Sequence, residues 1–100
     1  MRIIQNLSDQ IDDEITDARK YAVCSVRYKE SDPELSRAYA QLATEELGHV
    51  DKLHAQVVRL ISEYRASKGE PPAHMLTIYQ HVHEREIEKV AEIKMMLANK

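Results

Sequence analysis

The chain has 100 residues, which is enough for one domain or for one subunit of an assembly. It has two Gly, three Pro and neither Phe nor Trp, a composition typical of an all-helical protein. Acidic and basic residues are interspersed and the formal net charge is -3, so we expect neither nucleic acid nor a membrane surface as a partner. No apolar run approaches membrane-spanning length, and the N-terminus lacks the apolar core of a signal peptide. The single Cys24 fits a reducing compartment, which predicts a cytoplasmic location.

The first predicted element is a helix from about Ser8 to Lys29, with Ser8 or Asp9 as its N-cap. Its apolar residues recur at alternating spacings of three and four, which is the period of one helix face. The row that we expect to face the core is Leu7, Ile11, Glu14, Ala18, Tyr21, Ser25 and Tyr28. Glu14 is the only charged side chain in that row.

The second predicted helix runs from Pro33 to about Ser67. Ser31 or Asp32 caps it, and Gly69 is expected to end it. Its row is Leu35, Tyr39, Leu42, Glu46, His49, Leu53, Val57, Leu60 and Tyr64. The two helices form a predicted hairpin over residues 8–67, interrupted on its apolar face by a carboxylate and an imidazole one turn apart.

A third helix is predicted over residues 73–98, and the whole chain, 1–100, is expected to form a single domain. If this helix folds back on the second one, His83 lies at the height of Val57, and Glu86 at the height of His54. Both are far from the charged residues of the hairpin. We therefore expect His81 and His83 to be surface or helix-packing residues.

The charged residues of the hairpin predict a metal site. If the first turn centres near Ser31, Glu14 lies at the same height as Glu46 and His49. Unpaired charges on a buried face cost several kcal/mol, roughly, and a metal ion would remove that cost. Carboxylate oxygen and imidazole nitrogen are ligands for iron, manganese and zinc. Glu14, Glu46 and His49 are therefore the predicted metal ligands.

The order of these residues resembles the ferritin-like superfamily, and its rubrerythrin branch in particular, over roughly residues 8–65. Members carry one Glu on a first helix and Glu-x-x-His on the next. Here the segments are 14–21, where Glu14 is followed by Ala18, Arg19 and Tyr21, and 45–49. The resemblance implies a four-helix bundle around a carboxylate-bridged di-iron site, with Glu46 as the bridge and Glu14 and His49 as terminal ligands. It also implies oxidation of Fe(II) by oxygen or peroxide.

The chain departs from the family in carrying one ligand set where the family has two, because the third helix has no Glu-x-x-His. A homodimer, or a larger even-numbered assembly, would complete the bundle and hold two iron ions per shared site. This is similar to the half-size ferritin-like proteins housed in encapsulin shells, although no shell-targeting tail is recognisable after Met96. Manganese or zinc could replace iron. Tyr21 is a candidate catalytic residue, either as a hydrogen-bond partner of a ligand or as a quencher of oxidising equivalents. A role in core packing alone is an equally good interpretation of this residue.

Two alternatives to a ferroxidase or peroxidase-type oxidoreductase remain open on the sequence. The first is a structural or adaptor module of three helices, in which the buried polar groups fix the register without a metal. The second is a single-metal site within one chain, formed by Glu14, Glu46, His49 and Glu92.

Overall fold

Three helices make up the computed structural model, which describes residues 2–99. They are α1 (Arg2–Arg27), α2 (Pro33–Lys68) and α3 (Ala73–Ala98). The all-helical class and the three-helix organisation are thereby confirmed. No helix within residues 2–99 is both long and apolar enough to cross a membrane.

The turn between α1 and α2 is closed by the predicted cap. The side chain of Asp32 accepts a hydrogen bond from the backbone N–H of Leu35 at 3.1 Å, and Pro33 takes the first helical position. At the far end of α2, Gly69 adopts a φ of 84° and its N–H donates to the carbonyl of Arg65. A positive φ is a conformation that Gly adopts at little cost, so this residue ends the helix as predicted.

Small residues set the seam between α1 and α2. Ala18, Ala22 and Ala43 are fully buried, which lets the two backbones approach closely. Near the turn, the Ser36 hydroxyl donates to the carbonyl of Ser25 at 2.6 Å. The pairing of Ser25 with Ser36 has the antiparallel register that the position of the turn predicts.

The predicted core-facing row of α2 is wrong by one residue in its first half, whereas Val57, Leu53 and Leu60 of the predicted row do contact the core. The buried row is Ser36, Ala43, Leu47, Val50 and Val57. Leu35 and Leu42, which the hydrophobic pattern places in the core, are 36% and 40% exposed. The small Ser36 and Ala43 are buried in the seam, where Ser36 hydrogen-bonds directly to α1, and this turns the larger leucines toward the edge of the seam.

α1 begins before its predicted start. Ser8 is not a cap but a buried residue within the helix, which extends back to Arg2. Ile4 lies one turn before Ser8 and is itself buried in the core, so packing continues the helix past the polar residues that usually start one. α1 also ends at Arg27, slightly before the predicted Lys29.

α3 packs mainly against α1. Ile93 is fully buried in the core. At the surface, Arg19 of α1 donates to Glu92 of α3 at 2.6 Å, and the Lys29 ammonium donates to the carbonyl of Asn99 at 3.4 Å. These contacts leave the opposite face of the α1–α2 hairpin free of α3.

Candidate metal centre

Glu14, Glu46 and His49 lie together, as predicted. Helix α1 supplies Glu14, and α2 supplies Glu46 and His49 one turn apart on the same side. The antiparallel seam brings them to one height. The proximity follows from the position of the turn, which determines which levels of the two helices meet.

The potential ligand atoms converge on one point. Nδ1 of His49 lies 3.3 Å from Oε2 of Glu14 and 3.8 Å from Oε1 of Glu46. One ligand atom from each residue lies within 4.8 Å of the other two, and no other group of three such side chains meets this criterion in residues 2–99. A transition metal bonded at about 2.0–2.2 Å to each atom would need only small side-chain movements to fit.

The two carboxyl groups have pKa values that are shifted in opposite directions. A hydrogen bond to Glu14, together with burial and the Glu14 charge, raises the pKa of Glu46 to about 7. The same hydrogen bond lowers the pKa of Glu14, and His49 lowers it further. The opposite shifts are those of a coupled acid pair in which Glu46 keeps the proton and Glu14 is ionised.

The site lies at an open edge and not inside the core. The side chain of His49 is 52% exposed, whereas those of Glu14 and Glu46 are 29% and 20% exposed. On α2, Leu42 lies one turn before Glu46 and Leu53 one turn after His49, on the same side of the helix. Three protein ligands thus face outward on a surface with apolar flanks.

The residues present fit a transition metal. Two carboxylates and one imidazole are donors that iron, manganese and zinc accept. The opposite pKa shifts of Glu14 and Glu46 follow from the proximity of two acidic groups, whose charges repel each other. A cation at this point would neutralise both.

Tyr21 lies two turns from Glu14 along α1, and the structure places it in a run of stacked rings. Its ring lies 6.2 Å from that of Tyr39, which in turn lies 6.1 Å from that of Tyr28. The stacking fits the packing role weighed for Tyr21. A chemical role for this residue stays a prediction.

Glu92 does not join the site. Its carboxylate pairs with Arg19 at 2.6 Å on the other side of α1, and it is outside the group of converging ligand atoms. The version of a single-metal site that uses Glu92 is therefore wrong. The height of Glu92 was predicted from helix rise alone, which does not determine the side of α1 on which α3 packs.

A second polar cluster contains a carboxyl group whose burial the sequence did not predict. His83 lies against α2, where its ring stacks on that of His54 at 4.5 Å, so its predicted helix-packing role is confirmed, whereas His81 is exposed. Glu86, by contrast, is buried. The signal was its spacing from His83, Val90 and Ile93, which places it on the inner face of α3.

Comparison with known proteins gives no match of significance: no family model, no curated protein and no solved structure matches this chain.

Proposed function

We propose that this protein binds a pair of metal ions, iron foremost, at a centre shared by two copies of the chain, and that it oxidises Fe(II) with oxygen or peroxide. The observation that carries the proposal is the convergence of Glu14, Glu46 and His49 within 4.8 Å. The order of these residues along the chain, which resembles the rubrerythrin branch of the ferritin-like superfamily, supports the choice of iron.

The open edge supports the sharing of the site. One chain offers two carboxylates and one imidazole, which is half of the ligand set that a two-metal centre of this kind uses. The half-set faces outward, with the exposed Leu42 one turn before Glu46 and the exposed Leu35 further along the same side of α2. A second copy related by a two-fold axis would cover those leucines and bring the same three ligands to the same place.

The residues have separate roles in this proposal. Glu46, the least exposed of the three side chains, would bridge the two ions, while Glu14 and His49 would be terminal ligands on each ion. The chemistry that a pair of iron ions supplies is transfer of one electron from each Fe(II) to dioxygen, which takes up two protons and leaves as hydrogen peroxide. Glu46 must release its own proton before it can serve as a ligand, because only the carboxylate binds metal.

Two variants one residue apart test the proposal. Glu46→Gln keeps the shape of the side chain but removes its charge, and Glu45→Gln makes the same change on an exposed neighbour. We expect wild type and Glu45→Gln to retain iron after purification without chelator and to speed the oxidation of added Fe(II). Glu46→Gln should lose most of the iron and oxidise Fe(II) at the rate seen without protein. Equal iron content in all three proteins would overturn the proposal.

The second candidate is a structural or adaptor module without a metal. It is favoured by contacts that join α1 to α2 without any ion, namely the Glu14–His49 contact and the hydrogen bond from Ser36 to Ser25. In that case Glu14 and His49 would fix the register of the hairpin. A melting temperature that Fe(II) and Mn(II) leave unchanged at neutral pH would favour this candidate.

A further inference from the structure

The attachment of α3 depends on an ionisable side chain. Within the described part of α3, only Glu86 and Ile93 are buried. Ile93 belongs to the apolar core, but Glu86 is a carboxylic acid with 7% of its surface exposed. An ionised carboxylate is costly in such a place unless a cation pairs with it, whereas the protonated acid is not.

Another acid faces Glu86 from α1. Asp12 acts on Glu86 through its charge and through a side-chain hydrogen bond, and a bond between two carboxyl groups requires a proton on one of them. Burial, followed by the charge of Asp12 and this hydrogen bond, raises the pKa of Glu86 to about 7, while Lys89 acts weakly in the opposite direction. Near neutral pH, the contact between Glu86 of α3 and Asp12 of α1 is therefore sensitive to one proton.

The imidazole next to Glu86 does not replace that proton. Nδ1 of His83 is buried, has no hydrogen-bond partner within residues 2–99 and lies 4.0 Å from Oε2 of Glu86. Burial and the neighbouring His54 lower the pKa of His83, with Glu84 acting in the opposite direction, so the ring is neutral where Glu86 begins to ionise.

The ionisable and charged groups around Glu86 thus come from all three helices. They are Asp12 on α1, His54 on α2, and Tyr79, His83, Glu84 and Lys89 on α3. Tyr79 stays neutral in this range, because burial and the charge of Glu86 raise its pKa. Within residues 2–99, the basic groups near the Glu86 carboxylate are His83, whose ring nitrogen lies 4.0 Å away without a hydrogen bond, and Lys89, whose effect on the Glu86 pKa is the smallest of those acting on it.

Apolar packing around the first half of α3 is loose. A groove of about 410 Å³ separates it from α1, with Ile4 and Met75 among its lining residues. A groove of about 400 Å³ lies on the α2 side, lined in part by Val58 and Leu76. With grooves on both sides, this part of α3 has little buried apolar area to offset a repulsion at Glu86.

We propose that the first half of α3, residues 73–86, is a pH-sensitive arm that stays on the hairpin while Glu86 keeps its proton and detaches when Glu86 loses it. Detachment uncovers the part of the core on which Tyr79 packs. The inference concerns a surface distinct from the metal centre and does not depend on the proposed function.

The direction of the pH effect follows from the two protonation states. In the detached arm Glu86 has its ordinary pKa of 4.5, and in the attached arm it has a pKa of about 7. The contribution of Glu86 to attachment is fully present below 4.5, declines between the two values and is lost above about 7. With these two pKa values, raising the pH from about 6 to about 8.5 increases the population of the detached arm about tenfold.

Hydrogen exchange of the full chain in the presence of chelator tests the proposal. Amide exchange in residues 73–86 is followed at about pH 6 and about pH 8.5, and the rates are corrected for the intrinsic effect of pH on exchange. We expect protection to fall about tenfold in wild type and in Glu88→Gln, an exposed site on the same helix. In Glu86→Gln, whose amide can still bond Asp12 but cannot ionise, protection should not change with pH.

A fall in protection that persists in Glu86→Gln, or no fall in wild type, would overturn the proposal. If Glu86→Gln does not fold, an NMR titration of the wild-type carboxyl carbons replaces it. A Glu86 resonance that titrates near pH 7 supports the proposal, and one that titrates near the ordinary value of 4.5 overturns it.

Discussion

The raised pKa of Glu46, about 7, means that a metal ion bound by both carboxyl groups would compete with a proton near neutral pH. The proton is retained because Glu14 lies in hydrogen-bonding contact and is itself ionised. In the metal-free protein, the contribution of Glu46 to stability is present at low pH and is lost as the pH rises through about 7. Metal binding should have the opposite pH dependence, since its ligands must be deprotonated.

We therefore expect Mn(II) to raise the melting temperature more at about pH 8 than at about pH 6. Below the pKa of Glu46, each pH unit should weaken metal binding about tenfold, because one proton competes with one ion. Thermal melts at fixed Mn(II) concentration across this range measure the effect. Glu45→Gln should behave as wild type does, and a gain that grows toward low pH would contradict the assignment of Glu46 as a ligand.

The identity of the site residues could be predicted from the sequence, but their surroundings could not. Glu14, Glu46 and His49 were predictable because helix rise and the position of one turn determine their height. The hydrogen bond that shifts the pKa of Glu46 depends on side-chain rotamers, for which spacing gives no information. The burial of Glu86 escaped prediction for a related reason, since it depends on the side of the hairpin against which α3 packs.

At the scale of helices, the ends of α2 were predictable and its rotation was not. Asp32, Pro33 and Gly69 act locally through caps and turn geometry, so their effects can be predicted from a few neighbouring residues. The rotation of α2 about its axis depends on which residues permit the closest approach to α1. There Ser36 and Ala43 prevailed over the more hydrophobic Leu35 and Leu42.

Gly48 lies inside α2 beside the site, and a side chain added there meets no atom within 4 Å. Because Gly is a poor helix former, we expect Gly48→Ala to raise the free energy of unfolding by about 1 kcal/mol. For a chain of this size, that gain corresponds to an increase of about 4–8 °C in melting temperature.

The matched control for this change is Gly69→Ala. Gly69 also has open space around it, but its φ of 84° disfavours any other residue. Gly69→Ala should therefore lower the melting temperature of the protein. A lower melting temperature in Gly48→Ala would contradict the expectation that the effect of this substitution follows from helix propensity alone.

At the scale of the whole molecule, the hairpin leaves one long face without a covering helix. The chain measures about 56 × 18 × 18 Å, and α3 lies mainly against α1. The uncovered face includes the three candidate metal ligands, Glu14, Glu46 and His49, and the exposed Leu35 and Leu42 of α2. An apolar row that is regular in the sequence but half exposed in the single chain is the arrangement expected of a surface that a second chain covers.

Completion of the bundle by a second copy links the proposed assembly to the proposed metal centre. A two-fold axis through the uncovered face would supply four carboxylates and two imidazoles from two identical half-sets. Loss of ligands should therefore weaken the assembly when metal is present. In Mn(II), we expect the dimer of Glu46→Gln to be weaker than that of Glu45→Gln and to dissociate at a higher protein concentration. Sedimentation across a concentration series measures this difference.

Native mass spectrometry of the protein loaded anaerobically with Fe(II) tests the shared centre most directly, because one spectrum reports both the number of chains and the number of metal ions. The account predicts a dimer, or a multiple of it, that carries two iron ions per pair of chains and loses them in Glu46→Gln. A monomer that binds iron by itself, or a dimer that binds none, would contradict it.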